Sequence, residues 1–258
     1  MNHNLTQLHD LSIDRARLQG GDVRRITNAD NARETAVHIL IGTIGARATI
    51  NGRRVEWHRL GERDNVFDAP PTVLYLGTAS IVEVWPESRT ADCLISQAVV
   101  SESAPPAVIR PGDVTAHYIG EGHYWREVRE VIGGSGPALR LRIGETINPP
   151  GKWSSWPPHS FDHDLTLAPK FEEVFYYWLK PVIPGKDCEA YQRRRGVLSS
   201  GETVDDMIAV KSGDSAILPL GFHPIAAGLD CSLCYCWTYI SPVAKQYAQW
   251  TEDGGYYA

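Results

Sequence analysis

Residues Asp206–Leu220 read DMIAVKSGDSAILPL, and this stretch decides the class of fold. Two short apolar runs flank Lys211-Ser212-Gly213-Asp214, a turn of the residue types that tolerate positive φ. The runs are too short for helices and carry the β-branched residues that favour strands. The same grammar recurs outward along the chain: AVHILIGTIG (36–45), TVLYLG (72–77), IVEVW (81–85), LRLRIGETI (139–147), EEVFYYWL (172–179) and LCYCWTYI (233–240). Each is bounded by Gly, Pro, Asn or Asp, and helical periodicity is scarce apart from VAKQYAQW near the end. Seventeen prolines and 23 glycines supply the punctuation. Many short strands at regular spacing predict an all-β sandwich or barrel. Asn51-Gly52 between two strand-like runs predicts a hairpin.

A weak internal symmetry appears, because Arg110-Pro111-Gly112-Asp113 in the first half matches Lys211-Ser212-Gly213-Asp214 in the second. A glycine-rich break at Gly133, Gly134 and Gly136 lies between them. The expected organisation is two barrels, residues 1–135 and 136–258, the first structural and the second carrying the chemistry.

The 258 residues, 43% hydrophobic and 22% charged, suffice for two small cores. A net charge of −6 gives no electrostatic reason to bind nucleic acid or an anionic membrane. No apolar run reaches the ~20 residues of a membrane span. The first residues, MNHNLTQLHDLSIDRARLQ, have no apolar core of the signal-peptide type, so the expected location is cytoplasmic. Five cysteines (93, 188, 231, 234 and 236) read as free thiols. Cys231 and Cys234 have C-x-x-C spacing without a second ligand pair, and core packing is the expected role of these thiols.

The chemistry-bearing residues lie in the second half. His159 follows Pro157-Pro158, Glu173 opens a strand, and His223 follows the Gly221 turn. Imidazole and carboxylate together hold Zn, Mn, Fe or Ni and leave positions open for substrate. This is the ligand order of a cupin site. Strand parity selects Glu173, which shares a face with Phe175 and Tyr177, over Glu172, which shares one with Val174, Tyr176 and Trp178.

Four segments, GERDNVFDAPPTVLYL (61–76), GETINPPGKWSSWPPH (144–159), EEVFYYW (172–178) and GDSAILPLGFHPIAA (213–227), resemble the 5-deoxy-glucuronate isomerase family of inositol catabolism. That family is related to the 4-deoxy-threo-hexosulose-uronate ketol-isomerases. The resemblance runs from about residue 25 to 242. It implies a bicupin, two double-stranded β-helix (jelly-roll) barrels, with a divalent metal in the C-terminal one and aldose–ketose isomerisation of a deoxy-uronic acid. Carried over residue by residue, the metal ligands are His159, Glu173 and His223. The chain departs from the family at two places. Phe161 stands where a second histidine ligand is expected, and Leu220 stands where arginine is common. His163 has the parity of His159, but four strand residues span about 13 Å, so both reach one ion only across a sharp bend.

His163, Tyr177 and Glu172 are the candidates for moving the proton between C1 and C2. Lys152 and Arg142 are candidates for meeting an anionic substrate. Two other readings fit the same residues. A two-His-one-carboxylate set matches Fe(II) oxygenases or a lyase of specialised metabolism acting on a less polar substrate. A non-catalytic bicupin that binds a sugar acid also fits. Exposed strands make a homodimer an expected assembly.

Overall fold

The computed structural model describes residues 2–3, 8–28, 32–160, 171–242, 244 and 251–252. Among them no α-helix occurs, and the only helical turns are short 3-10 turns at Pro111–Asp113 and Gly122–Tyr124. The protein is all-β, as the strand grammar predicts. It divides into two compact units: Leu11–Thr115 with Gly134–Leu141, and Met1–Asp10 with Ala116–Gly133 and Arg142–Ala258.

In the first unit, a five-stranded sheet runs in the order Ala107–Ile109, Thr72–Thr78, Arg33–Ile41, Thr90–Val99, Leu11–Gln19. A four-stranded sheet runs Arg24–Thr27, Ile81–Pro86, Ile44–Ile50, Arg53–Leu60. Their inward faces meet in a core that includes Val37, Ile39, Ile44, Leu74, Leu76, Val82, Val84, Cys93 and Ile95. The predicted hairpin forms: Ile50 pairs with Arg53, and Asn51 and Gly52 take φ of 50° and 75°. Buried Arg63 donates to the carbonyls of Leu40 and Ala69, each at 2.8 Å, and so fixes the turn that follows Gly61.

The second unit carries a seven-stranded sheet in the order Asn2–His3, Ser215–Leu218, Glu172–Pro181, Cys231–Ile240, Leu141–Asn148, Arg126–Ile132, Thr115–Ile119. A second sheet runs Trp153–Ser154, Ile225–Ala226, Ala190–Val197, Thr203–Val210, with Leu220–Phe222 also paired to Ala190–Val197. Its core includes Phe175, Tyr177, Ala190, Val210, Ala216, Leu218, Ile225, Leu233 and Tyr235.

The division is not the single cut expected near residue 135. Residues 116–133 belong to the second unit, because Arg126–Ile132 pairs antiparallel with Leu141–Asn148 in its large sheet. Residues 134–141 return to the first unit, and the reason is Glu34. Its fully buried carboxylate accepts the backbone N–H of Leu139 (2.8 Å), Arg140 (2.7 Å) and Leu141 (2.7 Å), and the Tyr75 hydroxyl (2.7 Å). A buried carboxylate is tolerated only with such charge-assisted partners, and here they pin the glycine-rich segment.

All five cysteines are free thiols. Cys234 and Cys236 are buried on one face of Cys231–Ile240, where the Cys236 thiol donates to Glu145 Oε1 at 3.7 Å. Among the described residues no helix is long and apolar enough to cross a membrane.

Candidate metal centre

Glu173 enters the second unit's core by the parity of its strand. It lies opposite Tyr239 on one neighbour and Leu218 on the other, and directly opposed residues in antiparallel strands share a face. That face continues through Phe175 and Tyr177, and through Tyr235 and Trp237 across the ladder.

His223 is set by a pair of glycines. Gly221 lies opposite Gly196, and a Cβ on Gly221 would stand 2.2 Å from the Arg195 carbonyl oxygen. Its φ of 147° also disfavours a side chain. The close backbone approach delivers His223, 1% exposed, over the Phe175 ring (centroids 5.8 Å, 83°). His159, on the two-residue strand His159–Ser160, meets the His223 ring edge-on, with centroids 5.3 Å apart at 83°. His223 Nε2 stands 3.5 Å from Glu173 Oε2.

The two imidazoles are held alike. His159 Nδ1 lies 3.1 Å from the Pro157 carbonyl oxygen, and His223 Nδ1 lies 3.1 Å from that of Gly221. A carbonyl only accepts, so each Nδ1 carries the proton and each Nε2 keeps its lone pair. Burial, reinforced by the neighbouring His223, pushes the His159 pKa down to about 3; burial pushes His223 down to about 4. Both rings are therefore neutral near pH 7. Burial pushes Glu173 up to about 8, and its Oε2 is buried without a hydrogen-bond partner.

Two neutral nitrogen donors beside an unsatisfied buried carboxyl oxygen form a donor set that fits a divalent cation. The three donor atoms are not all within 4.8 Å of one another. Glu173 and His223 form the close pair, and His159 lies beside His223. Phe161 and His163, the positions on which the ligand count turns, lie outside the described residues.

The other sequence candidates have different places. Glu172 points to the opposite face, where its carboxylate oxygens accept the backbone N–H of His9 (2.7 Å) and Asp10 (3.1 Å). It ties down the N-terminal segment and does not face the donor set. Tyr177 shares the inward face but is fully buried, and its hydroxyl donates to Gln192 Oε1 at 3.2 Å. Burial raises its pKa well above 10. Lys152 Nζ is engaged by the Gly122 carbonyl at 2.7 Å, and Arg142 is fully buried. Leu220, where the family commonly has arginine, packs with Phe171 and Tyr239 in a small apolar cluster.

Gln192 was not anticipated. Its Nε2 donates to the His223 carbonyl oxygen at 2.8 Å while its Oε1 accepts from Tyr177, so it buttresses the histidine's backbone. Its strand alternates buried and exposed from Ala190 to Arg195 in the pattern BeBiBe, and Gln192 falls at an inward position. That parity in AYQRRR was the available signal.

Two jelly-roll units, one carrying this donor set on its inward face, define a bicupin. The KduI/IolB family model matches residues 2–254, and the chain belongs to that family. Relatives that it matches include several named 5-deoxy-glucuronate isomerase. That of Geobacillus thermodenitrificans is 28% identical over 81% of this chain and 74% of its own length. That of Geobacillus kaustophilus is 30% identical over 70% and 63%, and that of Halalkalibacterium halodurans 25% over 86% and 82%. Among solved structures, an IolB-like protein from Salmonella typhimurium superposes with a TM-score of 0.81 at 22% identity, covering 95% of this chain and 88% of that one. Lactobacillus farciminis oxalate decarboxylase superposes at 0.64 with 11% identity, covering 97% and 81%.

Proposed function

We propose that this chain is a metal-dependent aldose–ketose isomerase acting on a deoxy-uronic acid such as 5-deoxy-glucuronate. The observation that carries the reading is the buried Glu173–His223 pair beside His159, in a chain aligned over most of its length with isomerases of that name. His159, Glu173 and His223 would hold the cation, with Zn, Mn, Fe and Ni the candidates. When bound, such a cation polarises a carbonyl and its neighbouring hydroxyl.

The chain's own residues do the rest. The Nδ1 contacts orient the two rings and Gln192 holds the His223 backbone, while Glu173 would have to lose its proton to solvent before it could serve as a ligand. Phe171, Leu220 and Tyr239 supply an apolar wall that keeps water from the reacting carbons. The C1-to-C2 proton carrier in this proposal is His163, since Glu172 and Tyr177 are committed to other partners. The test is turnover of 5-deoxy-glucuronate, followed by NMR, by protein of measured metal content. Absence of turnover in metal-loaded protein would sink the reading.

The apolar wall around Leu220 supports a second reading, an Fe(II) oxygenase or lyase taking a less polar substrate. Iron-dependent oxygen consumption would favour it, and sugar-acid binding without turnover would favour a binding protein. The proposal includes a homodimer. Its support is the exposed edge strand Thr115–Ile119, where Tyr118, 66% exposed, stacks on Trp125, 40% exposed, at 5.6 Å. Sedimentation of wild type and of Trp125→Ser tests that.

A further inference from the structure

Arg126 begins the strand Arg126–Ile132, and its side chain faces the same interior as the metal donors. The register shows this. Glu127 lies opposite Ile147, which puts Arg126 across from Asn148 and on its face. Thr146, two residues from Asn148 and so on that face too, accepts from Trp237 Nε1 at 3.2 Å. Trp237 belongs to the inward row that contains Tyr235 and Tyr239.

Arg126 is 6% exposed. Among the described residues its one hydrogen bond runs from Nη1 to the Tyr124 carbonyl oxygen at 3.0 Å, and no carboxylate pairs with it. The contrast with its neighbours is informative. Arg129 in the same strand pairs with Glu127 at 2.7 Å and Glu145 at 3.4 Å, and Arg194 pairs with Asp206 at 2.6 Å. A buried charge without a counter-ion is costly. Gly120 lies close by: a Cβ there would stand 2.4 Å from the Tyr124 carbonyl oxygen that Arg126 meets and 3.0 Å from Nη1. Beside it runs a polar shelf in which Asn148 Nδ2 donates to Ser154 Oγ (3.0 Å) and Ser154 Oγ donates to the Tyr235 hydroxyl (2.9 Å). Asn148 Oδ1 is buried with no partner. The charge of Arg126 is felt at both His159 and Tyr235.

We propose that Arg126 receives the carboxylate of the substrate, so that the negative end of a sugar acid supplies the counter-charge it lacks among the described residues, with the hydroxyls of the sugar on the Asn148–Ser154–Tyr235 shelf. A guanidinium offers a planar pair of donors suited to a carboxylate. The inference rests on the sugar-acid reading above for the class of ligand, but not on turnover.

The test compares D-glucuronate with uncharged D-glucuronamide by calorimetric titration into wild type, Arg126→Gln, Arg126→Lys and Asn148→Asp, with and without added metal. Wild type is expected to prefer glucuronate at least tenfold. Arg126→Gln should lose at least tenfold for glucuronate and less than twofold for the amide, and Arg126→Lys should recover part of the loss. Asn148→Asp, which puts a carboxylate across from Arg126, should mimic Arg126→Gln without removing the arginine, and it decides the matter if Arg126→Gln does not fold. Equal losses for both ligands, or no carboxylate preference in wild type, overturn the inference even if the protein isomerises. Preference that depends on Arg126 in a protein that does not turn over 5-deoxy-glucuronate sustains it and defeats the isomerase reading alone.

Discussion

His223 Nε2 lies 3.5 Å from Glu173 Oε2, and that oxygen has no hydrogen-bond partner although it is buried. The pair joins the residue after the strand Leu220–Phe222 to the strand Glu172–Pro181, and it sets a neutral imidazole beside an unsatisfied carboxyl oxygen.

Removing either partner should therefore remove the metal. Glu173→Gln and His223→Ala are each expected to lower metal affinity by more than about 100-fold, beyond the ~10–100-fold typical of changes outside the ligand set. Metal content after dialysis against a weak chelator measures this. Retention of a full equivalent of metal by Glu173→Gln would rule this carboxylate out as a ligand.

Metal binding should release a proton near neutral pH. The Glu173 carboxyl titrates at about 8 without a cation, whereas His159 and His223 titrate at about 3 and about 4 and are already neutral. Affinity is expected to rise with pH up to about 8 and then level off, with about one proton released per ion at pH 7. Calorimetry in buffers of different ionisation enthalpy counts that proton.

The same carboxyl makes the metal-free protein less stable as pH rises. Its folded pKa is above the unfolded value of 4.5, so its contribution is complete below 4.5 and is lost as pH climbs to about 8. The histidines act oppositely: their folded values are depressed, so their contribution is present above 6.5 and is lost as pH falls toward about 4. Glu173→Gln should raise the Tm of metal-free protein at pH 8 by several degrees and leave it little changed at pH 4.5. A thermal melt series reads this.

Tyr177 and Glu172 separate support from catalysis. Tyr177→Phe removes one buried hydrogen bond to Gln192 and is expected to cost about 1 kcal/mol of stability while metal content is kept. A fall in kcat of less than about tenfold would accompany it; a fall of a thousandfold at full metal content would make Tyr177 a proton donor after all. Glu172→Ala should leave metal binding unchanged and increase protease cleavage near His9 and Asp10, whose amides it holds.

Glu34→Ala should unfasten the segment Gly134–Leu141. It would leave the amides of Leu139, Arg140 and Leu141 without their carboxylate, at a cost of roughly 3 kcal/mol or more. Faster amide exchange at those three positions is the measurement, and unchanged exchange would discount the anchor.

The amino-acid sequence by itself determined the all-β class, the Asn51-Gly52 hairpin and the inward parity of Glu173, because each follows from a local rule: turn residues that accept positive φ, and side chains that alternate with period two. It also carried the family resemblance that the match over residues 2–254 bears out. Only the tertiary structure could show that residues 134–141 belong with the first unit, since the bonds that hold them reach back more than a hundred positions to Glu34. The same is true of Glu172, whose partners His9 and Asp10 are distant in sequence, and of Gln192, which acts on a backbone carbonyl. That Arg126 has no carboxylate partner among the described residues is a further case, because whether a buried cation has a counter-ion depends on which distant strands lie beside it. Period and turn chemistry fix the face a residue presents; what meets it there is decided by packing between strands that are far apart in the chain.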